Sequence, residues 1–218
     1  MRGKRAGRRT CFPEQSVRAE RIRKDQAYEG VRIRCQARLG NIRIPLQVDV
    51  GFGDSVTPGP IDLKYPTLLD FPAPTIRAYS RGTVVAEKFH AMVKLGMVNS
   101  RMKDFYDIWI LCREFEFKGN VLEEAIEATF QRQRTKLPTS IPPALSEEFF
   151  GNKAKKIQWR AFVGKSKLDA EGAALEQVAK NLVEFLPRFK PSLWVRRSRC
   201  GGPHAARGKN NCDFGTRI

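Results

Sequence analysis

Two runs of alternating residues stand out in the first quarter of the chain. Val31, Ile33, Cys35 and Ala37 alternate with Arg32, Arg34, Gln36 and Arg38. That two-residue period predicts a half-buried strand. Leu39-Gly40-Asn41 then reads as a tight turn. Beyond it Ile42, Ile44, Leu46, Val48 and Val50 alternate with Arg43, Pro45, Gln47 and Asp49. The two runs predict an antiparallel hairpin with one apolar face. Pro45 lacks a ladder donor, so its strand belongs at a sheet edge or is locally irregular. Residues 54–74 hold five prolines and read as a loop with at most one short strand.

From Thr83 the period becomes helical. Val85, Phe89, Met92 and Gly96 fall on one stripe, with Val84, Ala91 and Leu95 beside it and Ser80 or Thr83 as cap. Further helices are predicted over 102–115 (capped by Asn99 or Ser100), 121–132, 153–163 and 175–186, with Pro138, Pro142 and Pro143 breaking the chain between the third and fourth. Strands first and helices after predict an α+β fold. The expected division is a basic segment at 1–14, a sheet domain at 15–76, a helical domain at 77–190 and a basic tail at 191–218. The tail has no apolar period and is expected to be disordered.

Charge sharpens this picture. The 218-residue chain carries a net +17. Residues 1–34 contribute +7 and residues 188–218 another +7, leaving only +3 for the middle. Basic ends on a nearly balanced body suit an anionic partner, nucleic acid ahead of membrane; ends that are solvated, disordered or foreign to the fold are the alternative, and the tail's lack of an apolar period favours it there. No run of 18 apolar residues exists, and no apolar stretch follows the basic start as a secretory signal requires. The five scattered cysteines read as reduced thiols of a cytoplasmic protein.

Three constellations carry possible chemistry. Asp49 lies within a strand, where Asp is depleted. It is either a metal-binding carboxylate on a rigid sheet or a surface Asp paired to a neighbouring Arg. Glu87 and Lys88 sit among apolar residues, as a site or as an ordinary wet helix face. Lys103, Asp104 and Asp107 share an arc of about 100° opposite Phe105, Ile108, Trp109 and Cys112. A surface i,i+4 pair would explain them. However, Lys before Asp is the poorer order, and a first-turn Lys opposes the helix dipole unless it serves a phosphate. Gly164-Lys165-Ser166 fails as a phosphate loop because Trp159 stands where a glycine is needed. Cys200, His204 and Cys212 lack a fourth zinc ligand.

Several stretches, in order, resemble the AbiEii/AbiGii nucleotidyltransferase toxins of type IV toxin–antitoxin (abortive infection) systems. These are 38–54 (with Ile44-Pro45-Leu46-Gln47-Val48-Asp49-Val50-Gly51), Tyr65-Pro66-Thr67-Leu68-Leu69-Asp70-Phe71, 84–92 and 99–107, within a similarity spanning about 16–162. The resemblance implies a partial nucleotidyltransferase-like mixed sheet followed by a helical domain. It also implies Mg²⁺-dependent transfer of a nucleotide from a nucleoside triphosphate to RNA, tRNA above all, and a cognate antitoxin. Asp49 would be the third metal carboxylate. Glu87 and Lys88 match the family's Glu-Lys motif. Lys103, Asp104 and Asp107 match its Lys-Asp-x-x-Asp motif, with the lysine on the triphosphate; Asp49, Lys103 and Asp107 would be catalytic. The Gly-Ser and Asp-x-Asp motifs that the family places on its first strands have no counterpart before Asp49. The chain is therefore expected to begin inside the domain and, by itself, not to transfer nucleotides. Its ending after about Trp194 fits no family pattern either, and both ends read as products of a disrupted reading frame. The alternative from another class is a non-catalytic basic module that binds nucleic acid or the antitoxin.

Overall fold

The computed structural model describes residues 10–22, 30–52, 56–166 and 173–186. Most of the two basic ends, including the tail at 191–218 and the Cys200/His204/Cys212 grouping, lies outside the described residues. The chain forms two compact units, Met1–Asp54 and Ser55–Ile218. The fold is α+β.

The first unit is built on the predicted hairpin. β1 spans Thr10–Cys11, β2 Arg18–Ile22, β3 Gly30–Leu39 and β4 Ile42–Gly51. β4 pairs with β3 along its whole length, from Gly30↔Gly51 to Leu39↔Ile42. A strand has only two edges, so β1 and β2 share the other one end to end, at Leu39–Arg38 and at Arg34–Gly30 respectively. The resemblance implied a mixed sheet; every pairing among the described residues is antiparallel. Gly40 closes the hairpin with φ of 60° and nothing within 4 Å of where a side chain would start. A substitution there would strain the backbone without any clash. Pro45 lies on β4, an edge strand, where a missing donor costs nothing. One face of the hairpin carries Ile33↔Val48, Cys35↔Leu46 and Ala37↔Ile44, the other Arg32↔Asp49 and Arg34↔Gln47. Ala37 is the only buried residue among those described in this unit.

The second unit begins with a second hairpin. β5, Ile61–Lys64, pairs antiparallel with β6, Thr75–Ala78. The proline-rich stretch 54–74, read from the sequence as a loop with at most one short strand, contains β5 and ends where β6 begins. Four-residue strands are too short to show a period. Six helices follow: α1 Arg81–Leu95, α2 Met102–Glu114, α3 Gly119–Arg132, α4 Glu147–Gly151, α5 Lys153–Ser166 and α6 Leu175–Phe185. The α1 stripe of Val85, Phe89 and Met92 is wholly buried. Gly96, predicted on that stripe, instead ends the helix at φ of 50°, a conformation that glycine alone adopts cheaply. Ser80 caps α1 by accepting from the Thr83 N–H at 3.2 Å. α2 packs against α1, α5 and α6, with Phe105 stacked on Phe149 at 5.4 Å. The apolar period does not predict the five-residue α4, although Ser146 caps it and Glu147 and Glu148 occupy its first turn.

Candidate functional site

The entry into α2 decides where the charged residues point. The chain turns out of α1 through residues 96–98, and Asn99, fully buried, accepts the Arg101 N–H on its side-chain oxygen at 2.9 Å. Held this way, α2 turns Phe105, Ile108, Trp109 and Cys112 into the core, as the spacing predicts. Asp104 departs from expectation. Helical spacing puts it on the wet face, yet it is 3% exposed, because α1 packs over that part of α2.

The reason a carboxylate can lie there is Lys88. Its Nζ donates to Asp104 Oδ1 at 2.9 Å and meets Asp107 Oδ2 at 2.7 Å. An ammonium has three donors, and two of them here join consecutive turns of α2 to α1. Asp104 Oδ2 forms no hydrogen bond of good geometry and is matched instead by close ion-pair contact with the Arg101 guanidinium. Burial works against the Lys88 charge, but hydrogen bonds and attraction from Asp107 and then Asp104 outweigh it, and the lysine pKa lies above its ordinary value. Lys88 is therefore neither a wet-face lysine nor a free base. It is a cation locked between two carboxylates.

Lys103 and Glu87 are placed differently. Lys103 is exposed in the first turn of α2 and has no ion-pair partner among the described residues. The surface pair that would join it to Asp107 is not formed; Asp107 turns to Lys88. Glu87 is half-buried beside Lys88. Arg101 is a member of the network that the motifs do not include. Its sequence signal is a cation just before a helix whose positive end it opposes unless an acid lies close.

Asp49 belongs to the other unit. It sits opposite Arg32, whose Nε and Nη2 donate to its two oxygens at 2.8 Å each. Its side chain is 44% exposed. This is a bidentate fork on the polar face of the hairpin, the second of the two readings that the sequence leaves open for it.

A divalent cation needs several oxygen ligands converging on one point. Among the described residues no three His, Cys, Asp or Glu side chains gather for one. Asp49 is engaged by Arg32, and Asp104 by Lys88 and Arg101. These side chains, each held by its own cation, do not as arranged fit a metal pair. No helix among the described residues is long and apolar enough to cross a membrane.

All of these side chains lie inside one family match. A family model described as the nucleotidyl transferase AbiEii toxin of type IV toxin–antitoxin systems matches residues 3–181. Neither the curated proteins nor the solved structures include a match to the chain. The family match covers Asp49 and brackets both helices whose charges meet at Lys88, and it spans most of the sequence; the chain belongs to the AbiEii nucleotidyl transferase toxin family.

Proposed function

We propose that the chain handles a nucleoside triphosphate whose nucleotide is passed to RNA, tRNA foremost, in the cytoplasm, as the toxin answering to a cognate antitoxin. One observation carries this reading. Lys88 of the Glu-Lys motif and Asp104 and Asp107 of the Lys-Asp-x-x-Asp motif form one ion network, and the remaining lysine, Lys103, is exposed in the first turn of the same helix. In this reading Lys103 takes the triphosphate by charge at the positive end of α2. Lys88 positions Asp104 and Asp107, and Glu87 borders the nucleotide. Asp49 would serve a magnesium ion only after releasing Arg32.

Nucleotidyl transfer calls for more carboxylates than the described residues bring together. We therefore expect the 218-residue chain to bind triphosphate without completing transfer. Calorimetric titration with ATP and GTP tests the first half. Lys103→Ala should weaken binding about tenfold or more while the melting temperature stays in place. Unchanged affinity together with a lowered melting temperature would make Lys103 a structural residue. Incorporation of labelled nucleotide into bulk tRNA with Mg²⁺ tests the second half, and robust label would show that a metal site assembles after all. The bidentate Arg32–Asp49 fork favours one other reading, a basic module that binds nucleic acid or antitoxin without catalysis. That module needs no Mg²⁺, whereas triphosphate binding for transfer strengthens with it.

A further inference from the structure

Helix α5 has a feature that the family motifs do not use. Its fourteen residues, Lys153–Ser166, contain no acid and five cations. One of the five is inward. Lys155 is buried, its Nζ donating to the Asn99 carbonyl at 2.7 Å and lying 4.9 Å from the centre of the Phe149 ring. Trp159 is buried on the same side, its Nε1 donating to the Ala173 carbonyl at 3.0 Å. These two anchors fix the rotation of the helix. At 100° per residue, Lys153, Lys156, Ile157 and Arg160 then share an arc of about 100° on the opposite side. All four are exposed, Ile157 at 58%.

Lys153, Lys156 and Arg160 have no ion-pair partner among the described residues. Arg160 Nε makes one long bond to the Lys156 carbonyl at 3.4 Å, which leaves the rest of its fork free. Glu176 lies close enough to feel Lys156 but is bonded to Lys180 at 3.1 Å. Glu147 and Glu148 on α4 precede α5 in the sequence, and Asp169 and Glu171 follow it. The three cations succeed one another at about 4.5 and 6 Å along the axis. Their span of about 10 Å covers some three phosphates of a strand rising ~3.4 Å per residue.

We infer that the outer stripe of α5, Lys153, Lys156 and Arg160, is a docking surface for the phosphate backbone of RNA. A membrane surface is disfavoured because the apolar side of α5, with Trp159, is spent on the core and Ile157 is its one large apolar side chain that is exposed. The Lys155–Asn99 bond ties the first turn of α5 to the segment that enters α2. The stripe lies on the far side of α5 from that bond, so a strand docked there runs over the outside of the helix that braces the α2 entry. The choice of RNA rests on the function proposed above; the cationic stripe itself does not.

The test is fluorescence anisotropy of a labelled fifteen-nucleotide oligouridylate with the full 218-residue chain, over a range of KCl. Lys156→Gln/Arg160→Gln should weaken binding about tenfold at low salt. It should also make the slope of log affinity against log salt shallower by about 1.4, since each lost single-strand phosphate contact removes ~0.7. Lys94→Gln/Lys136→Gln, which removes two exposed cations elsewhere, should leave the slope within about 0.3 of the parent. Equal effects of the two double variants, or none from the first, would overturn the proposal. So would equal loss of binding to polyglutamate, which would mark the stripe as a site for an acidic protein. ATP titration separates this inference from the function it adjoins. A parent that binds no triphosphate but shows the stripe effect removes that function and leaves the α5 surface standing. Loss of the slope effect with triphosphate binding intact does the reverse.

Discussion

Arg32–Asp49 and Lys88–Asp104/Asp107 are both ion networks between neighbouring elements, and they differ in surroundings. The first lies on the polar face of the antiparallel sheet, in a unit where only Ala37 is buried among the described residues. Water screens it, and its two partners could part with little consequence. The second is largely buried between α1 and α2, with Asp104 sealed and Lys88 and Asp107 partly exposed, over a core that includes Phe89, Phe105 and Ile108. Removing one partner there strands a charge. The same chemistry is thus a rearrangeable contact in one unit and a structural joint in the other. A carboxylate that must exchange partners during a reaction belongs in the first setting, and one that must keep a helix end in place belongs in the second.

The contrast can be broken by substitution. Phe105→Ala empties a fully buried site stacked on Phe149 and should destabilise the helical unit by ~3–5 kcal/mol, read by chemical denaturation. Val48→Ala on the exposed sheet face should cost below ~1 kcal/mol. Equal costs would erase the distinction between the units. Lys88→Ala should come next, at about 2 kcal/mol, below the ~3–5 kcal/mol of a wholly buried pair because Arg101 still faces Asp104. Lys88→Ala together with Asp104→Asn should recover part of that loss; a double variant less stable than the single one would mean that the charges are not coupled. Arg32→Gln should leave the unfolding midpoint where it is, and a resolved shift would show that the sheet fork is structural after all.

The smallest effect concerns acid. His90 is buried against Phe130 and meets Thr135 Oγ1 at 3.0 Å. Burial first, and Lys94 second, hold its pKa below the usual histidine value. The unfolded chain therefore takes up a proton near pH 6.5 that the folded one refuses. The stability due to neutral His90 is complete above that pH and is lost as pH falls towards the lowered folded value. The melting temperature should drop between pH 7 and pH 5, and His90→Gln should flatten part of the drop. An identical profile in the variant would show that other groups carry it.

Elements with a strong period are legible in the amino-acid sequence. The β3–β4 hairpin and helices α1, α2, α3, α5 and α6 fall where alternation or the 3.6-residue stripe puts them. β2 is not legible, because its residues Arg18–Ile22 bury almost nothing and owe their conformation to pairing with β3. β5 and β6 are too short to show a pattern. At the site, spacing brings Lys103, Asp104 and Asp107 onto one arc but cannot show that Asp104 lies under α1. That follows from how two helices pack, and Lys88 is sixteen residues away from the acid it neutralises. Asp49 is the converse. Its partner is foreseeable as the residue opposite in the hairpin, since a two-residue turn fixes the register.

The lock on Lys88 also bears on reactivity towards electrophiles. An amine attacks an acyl or alkyl donor through its lone pair, and an ammonium shared by two carboxylates has none to offer. Lys88 should stay unlabelled when the folded protein meets an amine-acylating reagent near neutral pH. Lys103, exposed and without an ion-pair partner among the described residues, should acquire the label. Two lysines fifteen positions apart thereby divide the work, one immobile and inert, the other open to whatever anion or electrophile arrives.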